Sequence, residues 1–100
     1  MKHKVQMIVK YEVKQPFISQ YQEVVKNIFR MLPAYEAIDF NVIQTDAEPN
    51  QIIETYMLPT EAHYHALKKL RKSEKHSVFG CLDQIIIGGL KQMECLALKK

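Results

Sequence analysis

Two histidines, a set of tyrosines and two short polar side chains are the residues of this chain best suited to chemistry. His63 and His65 stand two positions apart in the run TEAHYHALKKL. An imidazole titrates near neutral pH, so either ring could serve as a general base or as a ligand contact. On a helix, residues two apart point about 200° away from each other, so these rings cannot share one metal ion. One is expected to face the gap beneath the helix and the other to face solvent. Tyr11, Tyr21, Tyr56 and Tyr64 could line a cavity, each with an apolar body and one hydroxyl that seeks a partner. Asp39 and Asn41 alternate with Ile38, Phe40 and Val42, which places the two polar groups on one face of a strand. His63 and Tyr56 are therefore the candidate catalytic residues. His65, Tyr11, Asn41 and Asp39 are the candidate ligand contacts. Every one of them also has an ordinary role open to it, as a helix cap, a core residue or part of a solvated face.

The elements that must position these groups follow from periodicity. Val5, Met7, Val9, Tyr11 and Val13 alternate with Gln6, Lys10 and Glu12, a strand with one core face. Pro16 suits the first turn of a helix. Phe17, Tyr21, Val24, Val25, Ile28, Phe29 and Leu32 then recur at three- and four-residue steps, and Pro33 stops the helix near Met31. The stretch Ala37 to Leu58 reads as a hairpin, with its turn in TDAEPNQ and a second strand over Ile52 to Leu58. Ile52, Tyr56 and Leu58 share one face of that strand, and Ile53 and Met57 the other. Thr60 is the expected N-cap of the next helix, whose apolar stripe is Ala62, Ala66, Leu67 and Leu70. Lys68, Lys69, Arg71, Lys72 and Lys75 are expected on its solvated face. A second helical piece is expected from Ser77 through Val78, Phe79, Leu82, Ile85 and Ile86, closed by Gly88 and Gly89. Lys91 to Leu98 is the last strand.

Strand, helix, strand, strand, helix, strand is the order of a ferredoxin-like α+β domain, a four-stranded antiparallel sheet with helices on one face and the first and third strands central. One hundred residues make one domain, residues 1–100. The far face of that sheet would carry Ile8, Ile43 and either Leu96 with Leu98 or Met93 with Cys95. Such a surface calls for cover, and the expected partner is a second copy of the chain, sheet against sheet. Gln6, Lys10, Glu12 and Lys14 on the same face must then pair or stay wet.

Composition sets outer bounds. Hydrophobic residues make up 47% of the chain and charged residues 25%, with a net charge of +3, values of an ordinary globular protein. No apolar run is long enough to span a bilayer, so no membrane partner is expected. The N-terminal run MKHKVQMIVKYEVK lacks the apolar core of a signal peptide, and a cytoplasmic location is expected. The basic stretch has no adjacent aromatic residues and no docking motif, so no nucleic-acid partner is expected. Cys81 and Cys95 are expected to be reduced and buried, and no zinc-ligand spacing is present. No cofactor is implied.

The segment IIETYMLPTEAHYHALKKL resembles the dimeric α+β barrel superfamily, which includes antibiotic-biosynthesis-type and haem-degrading monooxygenases. The resemblance rests on Glu54, Tyr56, Pro59, Thr60, Glu61, Ala62, His63 and His65. It implies a homodimer with a pocket between helices and sheet. The haem-degrading members use an Asn on the first strand, a Trp on a central strand or nearby helix and a His on the second helical segment. This chain has no Trp and no Asn on its first strand, and His76 lies between the helical pieces, so haem cleavage is not implied. Two functions stay open. The first is a module that binds a small organic ligand or a partner. The alternative is a cofactor-independent, monooxygenase-like enzyme acting on a planar organic substrate beside Tyr56 and His63.

Overall fold

Alternation along the first strand is realised in full. In the computed structural model, which describes residues 3–100, β1 spans Val5–Glu12 and buries Val5, Met7, Val9 and Tyr11 on one side. The first two residues of the N-terminal run lie outside the described residues. The chain continues through α1 (Ile18–Met31), β2 (Ile38–Ile43), β3 (Gln51–Leu58), α2 (Glu61–Arg71) and β4 (Glu94–Lys99). The sheet order is β2-β3-β1-β4, with every neighbouring pair antiparallel. This is the ferredoxin-like βαββαβ arrangement, and β1 and β3 are the central strands, as the pattern predicts.

Local chemistry explains the boundaries. Pro16 lies in a 3-10 turn, Gln15–Phe17, that leads into α1, and α1 stops at Met31, two residues before Pro33. It buries Tyr21 and Ile28, with Leu32 just beyond. Thr60 caps α2 from extended backbone, its Oγ1 accepting the His63 N–H at 3.3 Å. Glu61 in the first turn and Lys68, Lys69 and Arg71 in the last match the helix dipole.

Several expectations are corrected. The buried stripe of α2 is Tyr64, Leu67 and Arg71, with Ala62 and Ala66 exposed. Arg71 is thus not on the solvated face, because an ion pair awaits it beneath the helix. Residues after Ser77 form a 3-10 segment, Phe79–Gln84, rather than an α-helix. The chain there turns back to the sheet, where Ile86 bridges Val13 and the Ile87 N–H donates to the Glu12 carbonyl at 2.9 Å. That strand-like pairing competes with further helical turns. β4 begins at Glu94, since Leu90–Gln92 is another 3-10 turn. Gly88 and Gly89 both have φ of 80°, a conformation that favours glycine. In β2 a bulge between Ile38 and Asn41 breaks the simple alternation. Asp39 takes φ of 59°, which Asp tolerates better than most residues. The bulge swings Phe40 under the helices, where it stacks on Phe29 at 5.7 Å and meets Tyr56 edge-on at 6.2 Å. Cys81 is exposed rather than buried, and Cys95 half-buried; both are free thiols.

Register fixes what the open face of the sheet displays. Gln6 lies opposite Met57 and Leu98, Ile8 opposite Thr55 and Leu96, and Lys10 opposite Ile53 and Glu94. Ile38, Asn41 and Ile43 extend these rows on β2. Of the two alternatives for the last strand, Leu96 and Leu98 take the open face, while Met93 is buried and Cys95 packs against the core. Leu96, Leu98, Ile43 and Ile38 are 50%, 47%, 47% and 42% exposed.

Candidate functional site

The core of this protein contains an ion pair. Glu54 lies on the core face of β3, in step with Ile52, Tyr56 and Leu58. Arg71 closes α2 and points down at it. Both side chains are fully buried. Arg71 Nη1 donates to Glu54 Oε1 at 2.8 Å, and Nη2 donates to Oε2 at 3.0 Å, the bidentate fork that matches a guanidinium to a carboxylate. Nη1 also donates to the Tyr56 hydroxyl at 3.1 Å. Tyr11 from β1 donates to Glu54 Oε2, so the 2.9 Å contact between Tyr11 and Tyr21 has the Tyr21 hydroxyl as donor. The Arg71 guanidinium lies 5.5 Å from the ring centre of Phe79, at cation–π distance. Among the described residues, Arg71 Nε has no hydrogen-bond partner. One cluster therefore ties β1, β3, α1, α2 and the 3-10 segment together.

Its electrostatics favour a fixed protonation pattern. Burial, followed by the Glu54 carboxylate, pushes Tyr11 and Tyr21 well above the usual phenol range. Burial raises Tyr56 as well, against the opposing pull of Arg71. Burial works against the charge of Arg71, but the facing Glu54 overrides it and holds the guanidinium charged. Three phenols stay protonated around a matched pair of charges. Tyr56 is 1% exposed and Tyr11 6%, and Glu54 and Arg71 are 0% exposed. The gap between helices and sheet, where the resemblance implies a pocket, is occupied at this point by the protein's own side chains.

The histidines lie elsewhere. His63 Nδ1 is 2.7 Å from Thr60 Oγ1, and Nε2 is 2.7 Å from Glu36 Oε2. Its side chain is 34% exposed and that of Glu36 66%. Glu36 takes φ of 64° at the end of the 3-10 turn Leu32–Tyr35, and its carbonyl meets His3 Nε2 at 2.9 Å. His65 points to solvent, 3.7 Å from Glu61, whose carboxyl is held below the usual range by a hydrogen bond from Lys99. The structure thus brings Tyr56 and Tyr11 into one cluster and puts His63 and His65 outside it. Asn41 is exposed on the open face and donates to the Asp39 carbonyl at 3.3 Å. Asp39 stays in the exposed bulge, away from the tyrosines. Among the described residues, no group of three or more His, Cys, Asp or Glu side chains could hold a metal ion. No helix among them is long and apolar enough to cross a membrane.

Sequence reasoning missed Glu54 and Arg71 as a pair. Two signals point to them: Glu54 shares parity with Ile52 and Tyr56, and Arg71 follows Tyr64 by seven residues and Leu67 by four. Opposite charges on two apolar stripes that pack together are expected to meet.

An open cleft of about 340 Å³ lies at one end of the open face. Lys10, Glu12, Gln51, Ile53, Ile87 and Glu94 are among the residues that line it.

No family model matches the chain, and no curated protein matches it. Solved structures do. A conserved protein from Methanosarcina mazei Go1 superposes with a TM-score of 0.74 at 19% identity, covering 99% of this chain and 94% of that one. A candidate antibiotic biosynthesis monooxygenase from Nitrosomonas europaea gives 0.74 at 13% identity, covering 100% and 92%. A third, another candidate antibiotic biosynthesis monooxygenase, from Deinococcus radiodurans, gives 0.69 at 10% identity, covering 96% and 91%. At these identities the likeness is one of fold, and the chain has the ferredoxin-like α+β fold of these candidate antibiotic biosynthesis monooxygenases.

Proposed function

We propose that this protein is a homodimeric binding module that pairs through the open face of its sheet and receives a small organic ligand at the end of that face. The observation that carries this reading is the set of Ile8, Met57, Leu96, Leu98, Ile38 and Ile43 on the open face, interspersed with Gln6, Thr55 and Asn41 and bounded at one end by Lys10, Glu12 and Glu94. An exposed patch of large apolar residues mixed with neutral polar ones fits the composition of a protein interface. Four strands about 4.8 Å apart and about 25 Å long give a face on the order of 500 Å² in plan, within reach of the ~800 Å² per partner of a standard interface once side-chain relief is counted. Sedimentation at increasing concentration tests the pairing. The expected species has twice the 11.7 kDa chain mass, and Leu96→Lys is expected to return it to a monomer without unfolding it. A monomer at high concentration would sink the pairing.

A second reading, a monooxygenase-like enzyme, draws support from the fold likeness and from the three phenols and one guanidinium of the interlayer cluster. It requires the Glu54–Arg71 pair to open for a planar substrate. Oxygen uptake with polyphenol substrates, lost on Tyr56→Phe, is its expected signature.

A further inference from the structure

We infer that the cleft at the end of the open face takes a small amphipathic zwitterion, an α-amino acid with an aliphatic side chain. The inference rests on the binding-module reading and names the ligand class of its site. Lys10 and Glu94 are cross-strand partners, and Glu12 lies two residues further along the same face of β1, opposite Gln51. Among the described residues, none of these three charged side chains has an opposite charge within 4.0 Å. Two carboxylates and one ammonium thus line one open space. Ile87, 47% exposed, and Ile53 supply apolar walls.

Charge complementarity selects among ligands. A simple anion would face two carboxylates, and a simple amine would leave Lys10 without a partner. A molecule with both charges answers every group: its ammonium donates to Glu12 and Glu94, and its carboxylate accepts from Lys10 and the Gln51 amide. Its aliphatic part then covers Ile53 and Ile87. The volume of about 340 Å³ sits at the lower end of small-molecule sites, roughly 300–1,000 Å³, which suits a ligand of leucine size and is tight for a polycyclic substrate.

Calorimetric titration of the purified chain with leucine tests this, with isoamylamine and N-acetylleucine as probes that each lack one charge. Leucine is expected to bind saturably and at least about tenfold more tightly than either probe, since each lost charge removes a charge-assisted contact. Glu94→Gln and Lys10→Gln, both at exposed positions, are expected to weaken leucine binding by a similar factor while leaving thermal unfolding unchanged. Equal binding of all three probes, no leucine binding at all, or full leucine binding by Glu94→Gln would overturn the assignment. Sedimentation of the same samples separates the two proposals. A monomer that binds leucine sinks the pairing and keeps the site; a dimer indifferent to leucine does the reverse.

Discussion

Two relays of acid, base and hydroxyl run through this molecule, and they differ chiefly in their surroundings. Glu54, Arg71 and Tyr56 lie under the helices with both charges fully buried. Glu36, His63 and Thr60 lie on the surface, with the imidazole 34% and the carboxylate 66% exposed. The distances are alike, 2.8 to 3.1 Å in the first and 2.7 Å in the second. Equal geometry does not mean equal energy. Water screens the surface relay and competes for each of its hydrogen bonds, so its imidazole–carboxylate contact contributes on the order of 0–1 kcal/mol. The buried pair has no water to fall back on. Its charges are tolerated because each pairs with the other and Tyr11 and Tyr56 add further hydrogen bonds to the pair.

The sharpest way to break the comparison is to remove one charge from each relay. Glu54→Ala or Arg71→Ala strands a buried charge and is expected to lower stability by about 3–5 kcal/mol in urea unfolding. Replacing both together, Glu54→Leu with Arg71→Met, is expected to restore most of that loss, because the desolvation penalty disappears with the pair. Single variants that lose less than about 1 kcal/mol would mean that water reaches the cluster.

The next effect is alkaline. Tyr11, Tyr21 and Tyr56 all have folded-state values raised above the ordinary phenol, chiefly by burial. Below about pH 10, folded and unfolded phenols are both protonated and their full contribution is present. Above it the unfolded chain ionises while the folded chain does not. Stability then falls with rising pH, by up to about 1.4 kcal/mol per pH unit for each tyrosine. Thermal unfolding followed from neutral pH to about pH 11 checks the sign, and Tyr21→Phe should flatten the decline.

The surface relay gives the smallest effects. Thr60→Ala is expected to lower stability by about 1 kcal/mol through loss of the N-cap. His63→Gln should lower it by less than about 1 kcal/mol. A His63→Gln loss as large as that of Arg71→Ala would erase the distinction between the two sites.

Much of the fold is legible in the chain because its cues are local. The alternation from Val5 to Val13, the proline stops and the Thr60 cap each act within a few residues, and the sheet order follows from the sequence of elements. The bulge at Asp39 was not legible, since only the space beneath α1 and the ring of Phe29 make it worthwhile to turn Phe40 inward. The 3-10 character of Phe79–Gln84 likewise depends on pairing with the distant end of β1. Arg71 was the most misleading residue: among four lysines it looks solvated, and its helical spacing from Leu67 says otherwise only once Glu54 is in view.

By itself the sequence determined the order of four strands and two main helices and which side of β1, β3 and α1 is apolar, because side-chain period and backbone preference are properties of neighbours along the chain. The tertiary structure alone decided which polar groups share a partner. Glu54 and Arg71 are seventeen residues apart, and Tyr11 and Glu54 forty-three. Their ionisation and hydrogen bonding are set by the low-dielectric space that closes only when sheet and helices pack.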